Sequence, residues 1–296
     1  MNRNLASLRP AWQTVRLLAV IVLSAAWMLA AGEGRTEKTF DSSPEPRISL
    51  NNLNGHVLVR GWDKAEVHLV YTVASPRVEV DSEILPTSGP ADKIRLDTHL
   101  LDSALATGDQ VVDYVLDVPV GTSLEIRNPQ GKILVQGMQA DASLQSVGAN
   151  ISIRDYSGRL LVHSVAGDIE VIRPTGSVEA YTITGSLHFV SPSTSRLHGS
   201  TTSGNIVFEG DFMERGDYIL SAYSGNVEIL CPSAASFELN AKTLKGKVIN
   251  TMPMTHRHES ASSLGTSNSL MGTHNTGRAN LEVTSFSGNI HIRPQY

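Results

Sequence analysis

The sequence predicts an all-β chain, a β-solenoid or β-helix-like stack of short strands with a more sheet-like cap at its N-terminal end. Three observations lead there. A unit of small residue, polar residue, then apolar-any-apolar recurs through the second half of the chain. One turn, Ser-Gly-Asn, closes three of these units, at Ser203–Asn205, Ser224–Asn226 and Ser287–Asn289. Glycine is frequent at 24 residues while aromatics make up 5%, which suits many turns around a core of Val, Ile and Leu.

The first segment reads as an export signal, residues 1–32. Arg3, Arg9 and Arg16 form a positive leader without an acid, and the apolar run Leu17–Ala31 follows. That run is shorter than the ~20 residues a bilayer span needs. Ala30 and Gly32 offer small residues for cleavage after Gly32. The alternative is an uncleaved anchor, favoured by the long leader and bulky Trp27. With no cysteine after the apolar run, a lipoprotein anchor is not expected. Removing residues 1–32 takes away three Arg and no acid, so the formal charge moves from −5 to −8. An acidic domain is a poor fit to nucleic acid, which demands basic surfaces. Cys231 is the only cysteine, so burial and backbone pairing must hold the fold without an internal disulfide.

Residues 33–120 read as the β cap region. Strands are expected at Ile48–Leu50, Gly55–Val59, Glu66–Val70, Ile94–Leu96 and Val111–Val118, longer than the later units and without their beat. Ser82–Ala91, with Pro86 and Pro90, is expected to be a loop, and so is Asp102–Asp109. An open solenoid end needs such a cover.

Residues 121–296 carry the repeats. Gly131-Lys132-Ile133-Leu134-Val135 is the first clear copy. Copies then start at Ala149, Gly158, Gly167, Gly176 and Gly185, a step of nine residues each time. Nine residues is one short strand and one tight turn, with apolar side chains on alternate positions facing one side. Strong copies continue at Gly204, Gly225, Gly246 and Gly288, separated by 21, 21 and 42 residues. The doubled gap implies a distorted or interrupted coil. Within it, residues 251–278 are rich in Ser, Thr, Asn, Gly and His and are expected to form a polar loop insertion. Two strands and two turns make one coil, and coils stack at roughly 4.8 Å.

Asn54-Gly55-His56-Val57-Leu58-Val59-Arg60-Gly61-Trp62-Asp63, followed by Val67-His68-Leu69, resembles the opening motif of the bacterial putative-adhesin family of exported β-strand-repeat proteins, long catalogued as a domain of unknown function. Val118-Pro119-Val120, then Ser123-Leu124-Glu125-Ile126 and Gly131-Lys132-Ile133, resembles its middle section. The Ser-Gly-Asn-Ile/Val copies resemble its repeats. The likeness runs from about Phe40 to the C-terminus. It implies a β-helix-like fold and a cell-envelope setting, and it carries no catalytic residues.

Ser-Gly-Asn near His resembles a hydrolase signature, but it recurs in one turn position, as a turn or ladder motif does. Stacking the nine-residue units places Ser152, Glu170 and His188 in one outward column, which Val207, Glu228 and His291 extend. This column is the candidate binding surface. A Glu beside a His one strand away could serve as an acid/base pair, so the alternative is a carbohydrate-active enzyme, a polysaccharide lyase or hydrolase on a β-helix, with Glu170 and His188 as its first suspects. A solvated face with favourable cross-strand pairs is the plainer reading. His256, His258 and His274 lie in the polar segment without completing a metal set. Trp62 is expected to close the N-terminal core, and Cys231 to be a buried apolar residue. No catalytic residue, metal or cofactor is assigned. The expected function is an exported, non-enzymatic, envelope-associated binding or scaffold module in periplasm, cell surface or medium. Its expected partner is a polysaccharide or another envelope protein, with membrane contact only through an uncleaved N-terminal segment. A role as an accessory to envelope signalling is the third alternative.

Overall fold

The computed structural model describes residues 34–101, 107–255 and 268–295. The predicted signal, residues 1–32, and most of the expected loop Asp102–Asp109 lie outside them, as do His256 and His258. The first six strands are β1 (Arg35–Asn51), β2 (Gly55–Trp62), β3 (Glu66–Val73), β4 (Val78–Leu85), β5 (Ala91–Leu100) and β6 (Val112–Pro119). Twelve more come in successive pairs. They are β7 (Ser123–Arg127) and β8 (Gly131–Gln136), β9 (Ala142–Gln145) and β10 (Asn150–Arg154), β11 (Ser157–His163) and β12 (Ile169–Ile172). Then follow β13 (Thr175–Thr182) and β14 (Leu187–Val190), β15 (Ser193–Thr201) and β16 (Ile206–Glu209), β17 (Asp217–Ala222) and β18 (Val227–Cys231). The chain ends with β19 (Phe237–Thr243), β20 (Val248–Asn250), β21 (Ser269–His274), β22 (Ala279–Ser285) and β23 (Ile290–Pro294).

Each coil contributes one strand to a back sheet and the next to a front sheet. From β7 to β18 the odd strands stack in parallel at the back and the even ones in parallel at the front. The alternating pattern follows from the sequence: in β10, β12 and β14 every second side chain is buried and its neighbour is half-exposed or exposed. Inward side chains of the two sheets meet as a continuous apolar core, with Ile151, Ile169, Leu187, Ile206 and Val227 stacked along the front and Leu160, Val178, Leu197 and Tyr218 along the back. No coil buries its own apolar pair alone, so stability comes from stacking.

The two ends depart from sequential stacking in the same way. At the C-terminal end β22 and β23 lie directly on β17 and β18, and β19 and β20 lie outside them. The last coil of the chain is therefore inserted one layer in. The 42-residue gap spans the polar segment, whose β21 adds an antiparallel edge strand to β19, so the array is interrupted there and its last two coils stack in exchanged order. At the N-terminal end the second part of β1 pairs with β5 and β7, and β2 pairs with β6 and β8. The first coil is likewise tucked between its successors.

Antiparallel strands close the ends: β4 on β5, β3 on β6 with the start of β1 outside it, and β21 on β19. Two expected loops shrink accordingly. Ser82–Leu85 completes β4, leaving residues 86–90 as the loop, because alternate side chains there pair with β5. In the polar segment 251–278, Ser269–His274 is strand, held by its backbone pairing to β19 rather than by apolar content.

Candidate functional site

The turn from back sheet to front sheet is what fixes the register of any outward column. A Ser or Thr ends the back strand, its hydroxyl accepting from the amide of the turn residue three positions on: Ser164 from Gly167 at 2.9 Å, Thr182 from Gly185 at 3.1 Å and Ser285 from Gly288 at 2.9 Å. These glycines sit against the carbonyl of the coil beneath. A Cβ at Gly204 would lie 1.9 Å from the Gly185 carbonyl oxygen. The residue after each glycine then ties coil to coil. Asn205 Oδ1 accepts from the Asn226 amide at 3.0 Å, Asn226 Oδ1 from Asn289 at 2.8 Å, and Asn289 Oδ1 from Lys247 at 3.0 Å. The Ser-Gly-Asn triplet is thus a stacking device, and the order of its bonds follows the inserted coil.

On that scaffold the front sheet lines up the expected column. Ser152 faces Glu170, Glu170 faces His188, His188 faces Val207, Val207 faces Glu228 and Glu228 faces His291. Their side chains engage neighbours unevenly. Ser152 Oγ donates to Glu170 Oε2 at 2.9 Å, and Arg154 stands 3.7 Å from the same oxygen. His188 Nε2 lies 3.1 Å from Glu209 Oε1, and Arg293 pairs with Glu228. Glu170 and His188 are register neighbours, yet each is engaged with a different group. The face is half-open, Glu170 and His188 both being 39% exposed. Along the paired sheet it sets a Glu beside a His twice, with Val207 between the two pairs.

A second polar constellation lies at the N-terminal edge of the front sheet. His68 on β3 places Nε2 2.9 Å from Glu37 Oε1 on the outermost strand and Nδ1 3.3 Å from Asp117 Oδ2 on β6. Glu37 and then Asp117 raise the imidazole above its ordinary value. Burial pushes the Asp117 carboxyl up, but Arg60 and His68 outweigh it and hold it below the usual range. Trp62 is next to this group. It does not close the core as expected: it is half-buried, its Nε1 donating to the Glu66 carbonyl at 2.8 Å and its ring lying 4.7 Å beneath Lys64 Nζ. It ends β2, where the chain leaves for β3 on the far side of β6, outside the inter-sheet space.

His274 is not a loop residue. It is 2% exposed, with Nδ1 2.7 Å from the Pro253 carbonyl and Nε2 3.1 Å from that of Ser233. It therefore pins the chain after β18 to β21. Cys231 is fully buried, and burial pushes its thiol up to about 12.

Two outward groups escaped the sequence reading. On the back sheet Tyr181 meets His163 and His198 edge-on, both at 5.1 Å between ring centres, and its hydroxyl lies 3.0 Å from His198 Nδ1. Extending the nine-residue stack to the odd strands would have found His163 beside Tyr181. The other is a ridge of apolar side chains along the back-to-front turn, at the position two before each glycine.

Residues 114–293 match the profile of the family described as Toastrack DUF4097. No curated protein matches the chain. Solved structures that are similar include a putative adhesin from Parabacteroides distasonis, 13% identical over 88% of this chain and 98% of that one, with a TM-score of 0.40. A putative adhesin from Parabacteroides merdae is 7% identical over 89% and 98%, with a TM-score of 0.39. A putative cell adhesion protein from Clostridium sporogenes is 10% identical over 88% and 100%, with a TM-score of 0.27.

Proposed function

The chain belongs to the Toastrack DUF4097 family, and from that premise we propose that it is an exported, non-enzymatic binding or scaffold module of the cell envelope. The working surface is the outward column of the front sheet, Ser152, Glu170, His188, Glu228 and His291. The supporting observation is its unbroken register through six coils, which sets Glu beside His twice, at Glu170–His188 and Glu228–His291, one inter-strand spacing apart. Repeated contacts at a fixed spacing suit a partner that is itself repetitive, a polysaccharide or the β-edge of another envelope protein.

The test is co-sedimentation of the purified protein with a panel of insoluble envelope and plant polysaccharides, with mass spectrometry of each supernatant. Retention without released sugar is the expected outcome. The paired variant Glu170→Gln with Glu228→Gln should weaken retention, since both carboxylates face outward on the column. Release of oligosaccharides would replace the binding reading with the enzyme one. Neither retention nor release would exclude polysaccharide and move the search to a protein partner by cross-linking in the envelope.

A further inference from the structure

The residue two positions before each turn glycine forms a column along the back-to-front corner. In spatial order of the coils it runs Leu53, Pro129, Val147, Val165, Ile183, Thr202, Tyr223, Phe286, Leu244. The order is set by the inserted first and last coils and by backbone bonds such as Val147 N to Pro129 O, Ile183 N to Val165 O and Lys245 N to Phe286 O. Eight of these nine positions are apolar. They are also turned outward: Val147 is 50% exposed, Ile183 49%, Tyr223 57% and Leu244 57%. Tyr223 and Phe286 stack at 4.7 Å and 8°, and Lys245 Nζ sits 5.1 Å over the Phe286 ring. At ~4.8 Å per coil the ridge is roughly 40 Å long.

The charges beside it are mostly basic. The columns flanking the ridge carry Arg127, Lys132, Lys242, Lys245 and Lys247 against Asp168, with Asp97 and Asp113 bonded to Asn51 and the His56 amide at the Leu53 end and Arg127 paired with Glu125. Yet acids outnumber Lys and Arg in the chain, 29 to 24. On the other corner acids and bases are matched: Asp141 pairs with Arg159 and Asp155 with Arg173.

We propose that this corner docks on the surface of an anionic lipid bilayer, the apolar ridge entering the boundary between headgroups and acyl chains and the flanking Lys and Arg facing the phosphates. An apolar line with basic flanks is the side-chain arrangement of interfacial membrane binding, transferred from a helix to a solenoid corner. Aliphatic Val147, Val165, Ile183 and Leu244 offer no flat π-face for a sugar ring. A second copy fits badly too. The ridge is one side chain wide, far short of the ~800 Å² per partner of a stable interface. Docked this way, the solenoid leaves both sheet faces free, including the front column.

The test is site-directed spin labelling of the full chain at Val165→Cys, Tyr223→Cys and, on the other corner, Ser157→Cys. Buried Cys231 remains unlabelled. Accessibility to oxygen and to a nickel chelate is read with vesicles of phosphatidylglycerol and phosphatidylcholine, and with phosphatidylcholine alone. This local readout separates ridge contact from any binding by the N-terminal apolar segment. The expected result is a several-fold rise in the oxygen-to-nickel ratio at 165 and 223 on anionic vesicles only, with no change at 157. Placing Ile183→Asp behind the 223 label should abolish the rise. Labels at 165 and 223 that stay aqueous on vesicle-bound protein would overturn the proposal. So would an equal rise on neutral vesicles, or protection without lipid, which would mean a second copy. Protection by a soluble anionic polysaccharide but not by vesicles would overturn it in favour of a polymer.

Discussion

Gly225→Ala is expected to be among the most damaging single-methyl changes in this protein, and the cause is backbone proximity rather than backbone angle. Gly225 has no positive φ, so alanine could adopt its conformation. Its Cβ, however, would lie 1.6 Å from the Gly204 carbonyl oxygen and 2.5 Å from the carbonyl carbon. Both are main chain in the adjoining coil, so no side-chain rotation relieves the clash. The coils must part locally. That opening strains the bond from Ile206 N to Asn226 O at 2.9 Å, from Ser224 N to Thr202 O at 2.8 Å and from Asn226 N to Asn205 Oδ1 at 3.0 Å. Overpacking costs about 1–3 kcal/mol, and each weakened bond adds up to about 1 kcal/mol, giving a loss of about 3–5 kcal/mol. Gly148→Ala is the control, a turn glycine one position earlier in its coil, where Ala149 holds the place of Gly225: its nearest atom, the Pro129 carbonyl oxygen, is 3.9 Å away. Its change should lie between neutral and a gain of up to about 1 kcal/mol, through the stiffer unfolded chain. Urea unfolding followed by circular dichroism gives both values, and a thermal shift of ~2–4 °C per kcal/mol is expected for a chain this size. The reasoning fails if Gly225→Ala costs less than about 1 kcal/mol, or if the two variants are equally destabilised.

Gly199 faces Phe189 across the core, and a Cβ there would lie 2.8 Å from the ring. Gly199→Ala should cost about 1–2 kcal/mol, and Phe189→Leu in the same molecule should recover part of it; purely additive losses would deny the contact. The His68 bridge should weaken with alkali. Its folded value is raised above 6.5 by Glu37 and Asp117, so its contribution is complete below about pH 6.5 and lost as pH climbs through the folded value. Amide exchange of Thr36–Asp41, corrected for intrinsic rates, should therefore quicken at high pH, and His68→Asn should remove that dependence. The Cys231 thiol, held up to about 12 by burial, should ignore a disulfide reagent at pH 8 in the folded protein and react fully in urea; native reactivity would place it outside the core.

The repeat made the solenoid legible because one physical requirement, a short strand and a glycine turn, is met again and again in nine residues. It also made the front column legible, since side chains nine or eighteen residues apart must coincide once coils stack. The stacking order at the ends was not legible. Gly246 and Gly288 carry equivalent turns, and nothing in local sequence says which coil lies nearer Gly225. That choice is tertiary, made where Asn289 rather than Lys247 receives the Asn226 carboxamide oxygen. The strand Ser269–His274 was hidden for a related reason: its polar side chains suit a loop, and its place is fixed by backbone pairing and the buried His274.

What a solenoid demands of its sequence also shows where function is carried. Inward positions must be apolar, the turn residue must be glycine or, at Ala149, no larger than alanine, and the residue before the turn must supply a hydroxyl or amide. Outward positions answer to none of these constraints. On the front face they vary freely, Ser152, Glu170, His188 and Val207 standing at equivalent places. The corner ridge is equally outward, yet Leu53, Pro129, Val147, Val165, Ile183, Tyr223, Phe286 and Leu244 hold an apolar character that packing does not explain. Core burial does not require it, because five of these side chains are exposed large hydrophobics. Turn geometry does not require it either, because Thr202 occupies the same position with its amide bonded as that of Tyr223 is, to the residue just before the ridge position of the adjoining coil. A property kept through eight coils without help from the fold calls for something outside the fold, and a charge-biased apolar edge is the form such contact takes at a lipid surface.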